Sequence, residues 1–312
     1  MQHSARRWVT LAMGLIEVSV YLWHEDANEA QELVEAVFAE ARRIDELMST
    51  YKEDSRISEL NRDAASGPVN AGCELAGLIE RALDIAVLTR GAFDITFDSV
   101  GQHYDFRERE RPDAATIERE IESIDYRLVK VDKLACSVHF LRAGVRINLG
   151  GIAKGYAVDS GIRILQNCGI KQALISAGGD SRIIGDHKGR PWMTGVRAPR
   201  GRDKKESVLV IPLSDTAVST SGDYERYFIL DGERYHHIIS PKTGKSAKGA
   251  QSVTVLGPDT VTTDGLSTTL FVLGVKQGLA LAEKLDGIDA VIIDANGKIH
   301  YSSGLMPPTT TK

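Results

Sequence analysis

From residue 173 onward the chain reads as a succession of short strands. The segments 173–185, 192–197, 207–213, 226–230, 235–240 and 252–257 follow one another with no helical pattern between them. A doubly wound parallel sheet needs a helix after nearly every strand. This irregular order argues instead for an α+β fold, with mixed sheets and flanking helices. A further strand is expected at 15–23, where LIEVSVYLW alternates, and another at 144–149. Helices are expected at 28–48, where Ala30, Leu33, Val34, Val37, Phe38, Ala41, Ile44 and Leu47 share one face, and at 74–89. The end, DAVIIDANGKIHYSSG, reads as a hairpin turned at Asn296-Gly297.

The 312 residues, 42% hydrophobic, can bury a large core and suggest one large domain or two lobes. A net charge of −5 and a pI near 5.9 offer no basic surface for nucleic acid. No run approaches the roughly 20 apolar residues of a membrane-spanning helix. The start, MQHSARRWVTLAMG, has two arginines but no long apolar run behind them, so no export signal is read there. The expectation is a cytoplasmic protein, or a chain that begins after such a signal. Cys73, Cys136 and Cys168 are odd in number and lack CxxC spacing, which points to buried thiols rather than a disulfide or zinc framework. The charge-dense stretch 105–127 reads as a solvated loop and helix, and the tail after Leu305 as disordered.

Five stretches carry possible chemistry. In NLGGIAKGYAVD (148–159) a strand meets Gly150-Gly151 and then a helix start. Such a turn lets a ligand approach the backbone and exposes free N–H groups to an anion, with Lys154 adding a charge; it is equally a plain structural turn. Ser176-Ala177-Gly178-Gly179-Asp180 reads as a bulge or a close backbone approach. Thr220-Ser221-Gly222-Asp223-Tyr224 offers hydroxyls and N–H groups, or a simple turn. His236 and His237 point to opposite faces of a strand, so the pair does not readily share a metal; one is expected in the core and one exposed. In Thr262–Leu270, Asp264 caps the following helix. Asp264 and Thr268, four apart, present a carboxylate and a hydroxyl suited to Mg²⁺ if phosphate oxygens complete the coordination.

Together, in order and spacing, the stretches resemble the ApbE family, the FAD:protein FMN transferases. The matching segments are AMG (12–14), MSTYKEDSRISELN (48–61), GAFDITFDSVG (91–101), NLGGIAKGYAVD (148–159), ISAGGDSRIIG (175–185), AVSTSGDYERYF (217–228), HHIISPKTG (236–244) and SVTVLGP…TTDGLSTTLFVLG (252–274). The resemblance covers residues 12–304, leaving 1–11 as an N-terminal extension and 305–312 as a tail. It implies a two-lobed single domain with FAD in the cleft. It also implies Mg²⁺-dependent transfer of FMN from FAD to a Ser/Thr hydroxyl of an acceptor flavoprotein, with release of AMP, typically on a membrane redox complex outside the cytoplasm. A periplasmic location is the family expectation.

Carried over by motif, Gly151 (through its carbonyl), Asp264 and Thr268 would hold the metal. Met13, Tyr51, Ala92, Phe93, Asp94, Asn148, Lys154 and Ile239 would contact FAD. His237, Asn148 and Asp180 are the candidates for the chemistry. A tyrosine at the Tyr51 position resembles the transferase type rather than the FAD-hydrolysing type. Three positions depart from the family pattern: Asn148 and Ser240 replace aspartates, and Leu15 follows Met13-Gly14 where threonine is usual. Two alternatives stay open: an FAD pyrophosphatase giving FMN and AMP, with water in place of the acceptor hydroxyl and Tyr51 arguing against it, and a non-catalytic FAD carrier, motivated by Asn148, which cannot act as a base.

Overall fold

The chain opens, in a computed structural model that describes residues 6–12, 16–201, 203 and 206–305, with an antiparallel pair, β1 (Arg6–Ala12) and β2 (Ile16–Leu22). β1 takes up most of the stretch set apart as an extension. Met13 lies outside the described residues, as does the tail beyond Leu305. The Asp26 carboxylate caps α1 (Ala27–Met48) by accepting from the Asn28 and Glu29 N–H groups. The apolar face expected from the sequence is the buried one.

A second lobe follows. It holds α2 (Arg56–Asp63), β3 (Val69–Asn70), α3 (Cys73–Leu88), the short α4 (Asp98–Gly101), α5 (Ala114–Glu120), β4 (Val129–Asp132) and β5 (Ser137–Phe140). Ile57, Leu60, Leu75, Ile79, Phe140 and Ile147 form its core. The expected strand at 144–149 runs extended but joins no sheet. The Asn61 side chain bonds both the N–H and the C=O of Ile147 (2.8 and 2.9 Å), and Asn148 N–H donates to the Ile95 carbonyl (2.9 Å). A side chain and a loop carbonyl here satisfy backbone groups that a strand ladder would otherwise pair.

The chain then returns through α6 (Ala153–Asn167), β6 (Ala173–Ala177), β7 (Asp180–Ile184), β8 (Trp192–Arg197), β9 (Ser207–Leu213) and β10 (Ala217–Gly222). It continues as β11 (Tyr227–Leu230), β12 (Glu233–His236), β13 (Ile239–Ser240), β14 (Lys245–Ser246), β15 (Ala250–Gly257), α7 (Thr260–Ala282), β16 (Asp289–Asp294) and β17 (Ile299–Tyr301). One eight-stranded sheet, ordered β1-β2-β6-β7-β10-β15-β16-β17, forms the larger lobe, and its neighbouring strands pair antiparallel. Helices α1, α6 and α7 pack on it. Val253 and Val255 of β15 face α7, while Leu256 packs against Trp192 and Leu213 of the β8–β9 hairpin. The fold is α+β, as expected, and the final hairpin turns at Asn296-Gly297 with Gly297 at φ 82.

Three sequence readings are corrected. Cys73 and Cys136 form a disulfide, while Cys168 is free and exposed. Cys73 opens α3 and Cys136 sits in the β4–β5 turn. The Ala71 N–H donates to the Cys136 carbonyl, which brings the two Cα atoms to 4.6 Å across 63 residues of sequence. Gly178-Gly179 is a two-residue hairpin turn rather than a bulge: Ala177 pairs with Asp180, and Gly178 takes φ 63, while the other reading, a close backbone approach, is met at Gly179, where a Cβ would lie 2.7 Å from the Thr220 carbonyl oxygen. Finally, α7 is long and apolar enough by composition to cross a membrane. It breaks at Gly274 (φ 70, ψ −178), and its first half is buried between the sheet and the second lobe.

Candidate active site

A cleft of about 440 Å³ opens between the lobes. Its floor is the turn that the sequence singled out. The Asn148 side-chain oxygen accepts from Gly150 N–H (2.8 Å), closing a tight turn. A Cβ on Gly151 would come to 3.0 Å from the Phe93 ring and 3.6 Å from Thr268 Oγ1. Close approach, not backbone sign, therefore calls for glycine there. No side chain of its own caps α6. Its Gly155 N–H is taken instead by Asp264 of α7 (3.1 Å). Asp264 thus does not cap α7. Asp259 does, five residues earlier, and Asp159 of α6 accepts from the Thr260 and Val261 N–H groups of α7. The two helices cap each other. A Cβ on Gly155 would lie 2.4 Å from the Thr260 carbonyl oxygen, so only glycine permits the crossing.

At this crossing the Lys154 ammonium is held between two carboxylates, at 3.0 and 3.1 Å from Asp264 and in a short bond with Asp180. Burial pulls the lysine down, but the two carboxylates outweigh it and hold it above its ordinary value. Burial and the neighbouring Asp180 push Asp264 up to about 7, against the pull of Lys154. Two carboxylates sharing one ammonium leave an excess negative charge. Asp180 lies behind Lys154, fully buried, with Oδ1 lacking a hydrogen-bond partner, so it acts on Lys154 rather than on the cleft. Next to this cluster, Ser221 Oγ sits 3.2 Å from Thr268 Oγ1.

Apolar side chains also line the cleft, Phe93, Ile95, Phe97 and Ile239 among them, with Phe93 set against Gly151. Asp94 lines it too, but its carboxylate accepts from the Thr96 N–H and hydroxyl and from Tyr126 N–H. Its role is to hold the loop that presents Ala92 and Phe93. Asn148 donates to Asp98 (3.1 Å) and Thr50 (3.3 Å), and Asp98 is also paired with Arg146 at 2.7 Å. An aspartate at 148 would face the buried Asp98 carboxylate, so asparagine suits this neighbourhood. Burial pushes Asp98 above its ordinary value, against Arg146.

His236 is the core histidine, with Nε2 at 2.9 Å from the Ala247 carbonyl. His237 lines the cleft and is only half-buried, not exposed as expected of one of the pair. Its Nδ1 is buried without a partner, and burial together with Arg226 pushes the ring down to about 3, so it is neutral at physiological pH. Tyr51 stands 79% exposed at the mouth, with its hydroxyl 3.4 Å from the Arg226 guanidinium. The sequence-predicted residues within the described chain therefore meet in this one cleft, with Asp180 just behind it.

Several cleft residues were missed by sequence reasoning: Asp98, Arg226, Tyr104 and Phe106. Arg226 follows a stretch readable as a turn. Phe106 lies inside the charge-dense stretch read as solvated, which holds for the exposed Arg107–Arg111 but not for Phe106 itself.

Comparison with known proteins decides the family. The ApbE family profile matches residues 13–292. The chain is 32% identical to the FAD:protein FMN transferase of Treponema pallidum, over 94% of this chain and 85% of that one. The chain belongs to the ApbE family. It is also 32% identical to the FAD:protein FMN transferase of Vibrio cholerae, over 85% of this chain and 80% of the relative. Among solved structures, the Thermotoga maritima ApbE protein superposes with a TM-score of 0.89 at 34% identity, covering 96% of this chain and 98% of that one. The Pseudomonas stutzeri flavinyl transferase ApbE, in its apo form, gives 0.83 at 28% identity, covering 97% and 96%. This ApbE chain thus shares the fold of flavin transferases over nearly its whole length.

Proposed function

We propose that this chain transfers the FMN half of FAD to a serine or threonine hydroxyl of an acceptor flavoprotein and releases AMP. The observation that carries the reading is a cleft lined by two unlike sets of groups. One is apolar and aromatic, suited to flat rings. The other is a buried cluster of hard oxygens around Lys154, suited to a pyrophosphate and a cation. The hydroxyl oxygen attacks the FMN phosphorus, the bond from that phosphorus to the AMP oxygen breaks, and AMP leaves. The hydroxyl's proton passes to solvent. His237 lines the cleft with its ring held neutral, so it serves as an uncharged hydrogen-bonding group beside the attacking hydroxyl rather than as the holder of its proton. Lys154 holds the Asp264 carboxylate toward the cleft, and Asp180 keeps Lys154 there.

The residues fit a magnesium ion. Asp264 and Thr268 line the cleft one helical turn apart, with Ser221 Oγ 3.2 Å from Thr268 Oγ1 and the Gly151 backbone close to the same hydroxyl, a set of hard oxygens of the kind magnesium takes. Held by Asp264, Thr268 and the Gly151 carbonyl, magnesium would neutralise charge on the pyrophosphate oxygens. Asp264→Ala should lower turnover by roughly 100-fold or more. Normal turnover by that variant would remove Asp264 from the site.

The deciding assay mixes the protein with FAD, Mg²⁺ and a flavoprotein domain that carries its flavin as a phosphoester on threonine. Acceptor mass and free AMP are followed. A gain of one FMN with matching AMP is expected. AMP and free FMN without a mass gain would mean a pyrophosphatase, and neither product with FAD bound would mean a carrier. We also place the protein in an oxidising compartment outside the cytoplasm, on the support of the Cys73–Cys136 disulfide. Protein drawn from its native cells and denatured without reductant should then react with a thiol reagent only at Cys168. Labelling of all three cysteines would put it in the cytoplasm.

A further inference from the structure

We propose that the free edge of β11 is where the acceptor polypeptide docks, adding an extended strand that leads its hydroxyl into the cleft. This rests on the transferase reading, because only a transferase has a protein as second substrate. The β11–β12 hairpin grows out of the cleft wall: Arg226, just before β11, and His237, just after β12, both line the cleft. In its register Arg226 pairs with His237, whose N–H donates to the Arg226 carbonyl at 3.2 Å. Phe228 and Leu230 therefore bond toward β12, and the N–H and C=O groups of Tyr227 and Ile229 point the other way. No described residue bonds to those outward groups.

The edge is also presented firmly and with a matching surface. Beneath it Phe228 stacks on Tyr235 (5.2 Å) and meets Phe106 (6.0 Å), which in turn stacks on Tyr104 of the cleft. The Tyr227 and Ile229 side chains are 41% and 56% exposed, an apolar strip beside the unpaired backbone. Unpaired edges of this kind invite strand addition, in which main-chain bonds supply affinity and alternate side chains supply specificity.

Charge narrows the partner. The chain is acidic overall, yet Arg197, Arg200, Arg226 and Arg234 gather around this strand against the carboxylates of Asp223 and Glu225. Arg226 has no carboxylate partner among the described residues, and Arg234 lies 3.8 Å over the Tyr227 ring. The acidic Asp231 and Glu233 sit at the far turn, where Lys248 pairs with Glu233. The segment that fits is extended, hydroxyl-bearing and acidic.

Hydrogen exchange on the wild-type protein with FAD, with and without the acceptor domain, reads the contact directly. The Tyr227 and Ile229 amides should slow on the order of tenfold when acceptor is added; unchanged exchange at both overturns the proposal. Ile229→Pro removes an outward N–H and leaves the β12 bonds in place. It should raise the acceptor KM about tenfold, leaving FAD binding and kcat at saturating acceptor unchanged. An unchanged KM counts against docking. Should Ile229→Pro lower the melting temperature, Arg234→Glu decides instead. It should raise the acceptor KM and weaken its salt dependence, and no change in either rejects the charge match. A wild-type protein that transfers no FMN overturns the transferase reading and the docking site with it. Wild-type transfer with unmoved amides and unmoved KM overturns the docking site alone.

Discussion

The deep wall of the cleft and its mouth are built on opposite principles. At the deep wall, Lys154, Asp180 and Asp264 are buried and mutually bonded, and two helices cap each other across Gly155. At the mouth, Tyr51 is exposed, Arg226 lacks a carboxylate partner among the described residues, and β11 keeps an open edge. In the first, each group depends on its neighbours, so fold and chemistry cannot be separated. In the second, groups are left available, so a change can reach binding without touching the fold.

The largest break should come from Lys154→Ala. It leaves Asp180 and Asp264 buried without their shared cation. Removing one partner of such a cluster typically costs about 3–5 kcal/mol, and urea unfolding with FAD and metal absent should show a loss of that order. A loss under ~1 kcal/mol would mean that the carboxylates are far better solvated than their burial indicates. Gly155→Ala comes next. The added methyl meets main-chain atoms of Thr260, which cannot rotate away, so α6 and α7 must separate at a cost of about 1–3 kcal/mol. FAD turnover should fall further than stability, because the Asp264 carboxylate moves with α7.

The same contrast explains what could be read in advance. The deep wall is dense in glycine, aspartate and threonine, but each stretch alone also reads as a turn or a cap; it is the resemblance of the ordered motifs to the ApbE family that implies one site for Gly151, Lys154, Asp264 and Thr268. The helix boundaries of α1 and α3 followed from their apolar spacing. Other features had no local signal. The start of α7 was misplaced because two aspartates, Asp259 and Asp264, precede apolar turns, and only the tertiary partner Gly155 tells them apart. The extended stretch at 144–149 resembles a strand in composition, but its bonds go to Asn61 and Ile95. An odd cysteine count hid the disulfide, since pairing depends on how β3 and β5 meet. At the mouth, Phe106 sits in a segment whose sequence reads as solvated surface, and only its stacking with Tyr104 and Phe228 reveals its side of the cleft; Arg226 opens a segment read as a strand, which by itself carries no signal of a cleft.

His237 lies where the two regions meet, and it sharpens the contrast through pH. Its folded value, near 3, is below the ordinary 6.5, so the unfolded chain binds more protons between those limits. Stability from the neutral ring is complete above about pH 6.5 and declines as the pH falls through that window. The decline is up to about 1.4 kcal/mol per pH unit. Urea midpoints between pH 7 and pH 5 should show the slope for the wild type and a shallower one for His237→Gln. Parallel slopes would mean that the ring charges freely in the folded protein.

Tyr51→Ala should have the smallest effect on the fold and tests the mouth directly. An exposed side chain with one long contact to Arg226 contributes within about 0.5 kcal/mol to stability, so the melting temperature should barely move. The ring is placed to cover a flat ligand entering the cleft, and its loss should weaken FAD binding several-fold, about 1 kcal/mol by flavin fluorescence quenching. A fall in melting temperature as large as that of Gly155→Ala would make Tyr51 part of the interdependent wall. Unchanged FAD binding would leave the mouth to the acceptor alone. With stability held and binding lost, the division stands: one wall whose chemistry is inseparable from its fold, and one rim free to choose what enters.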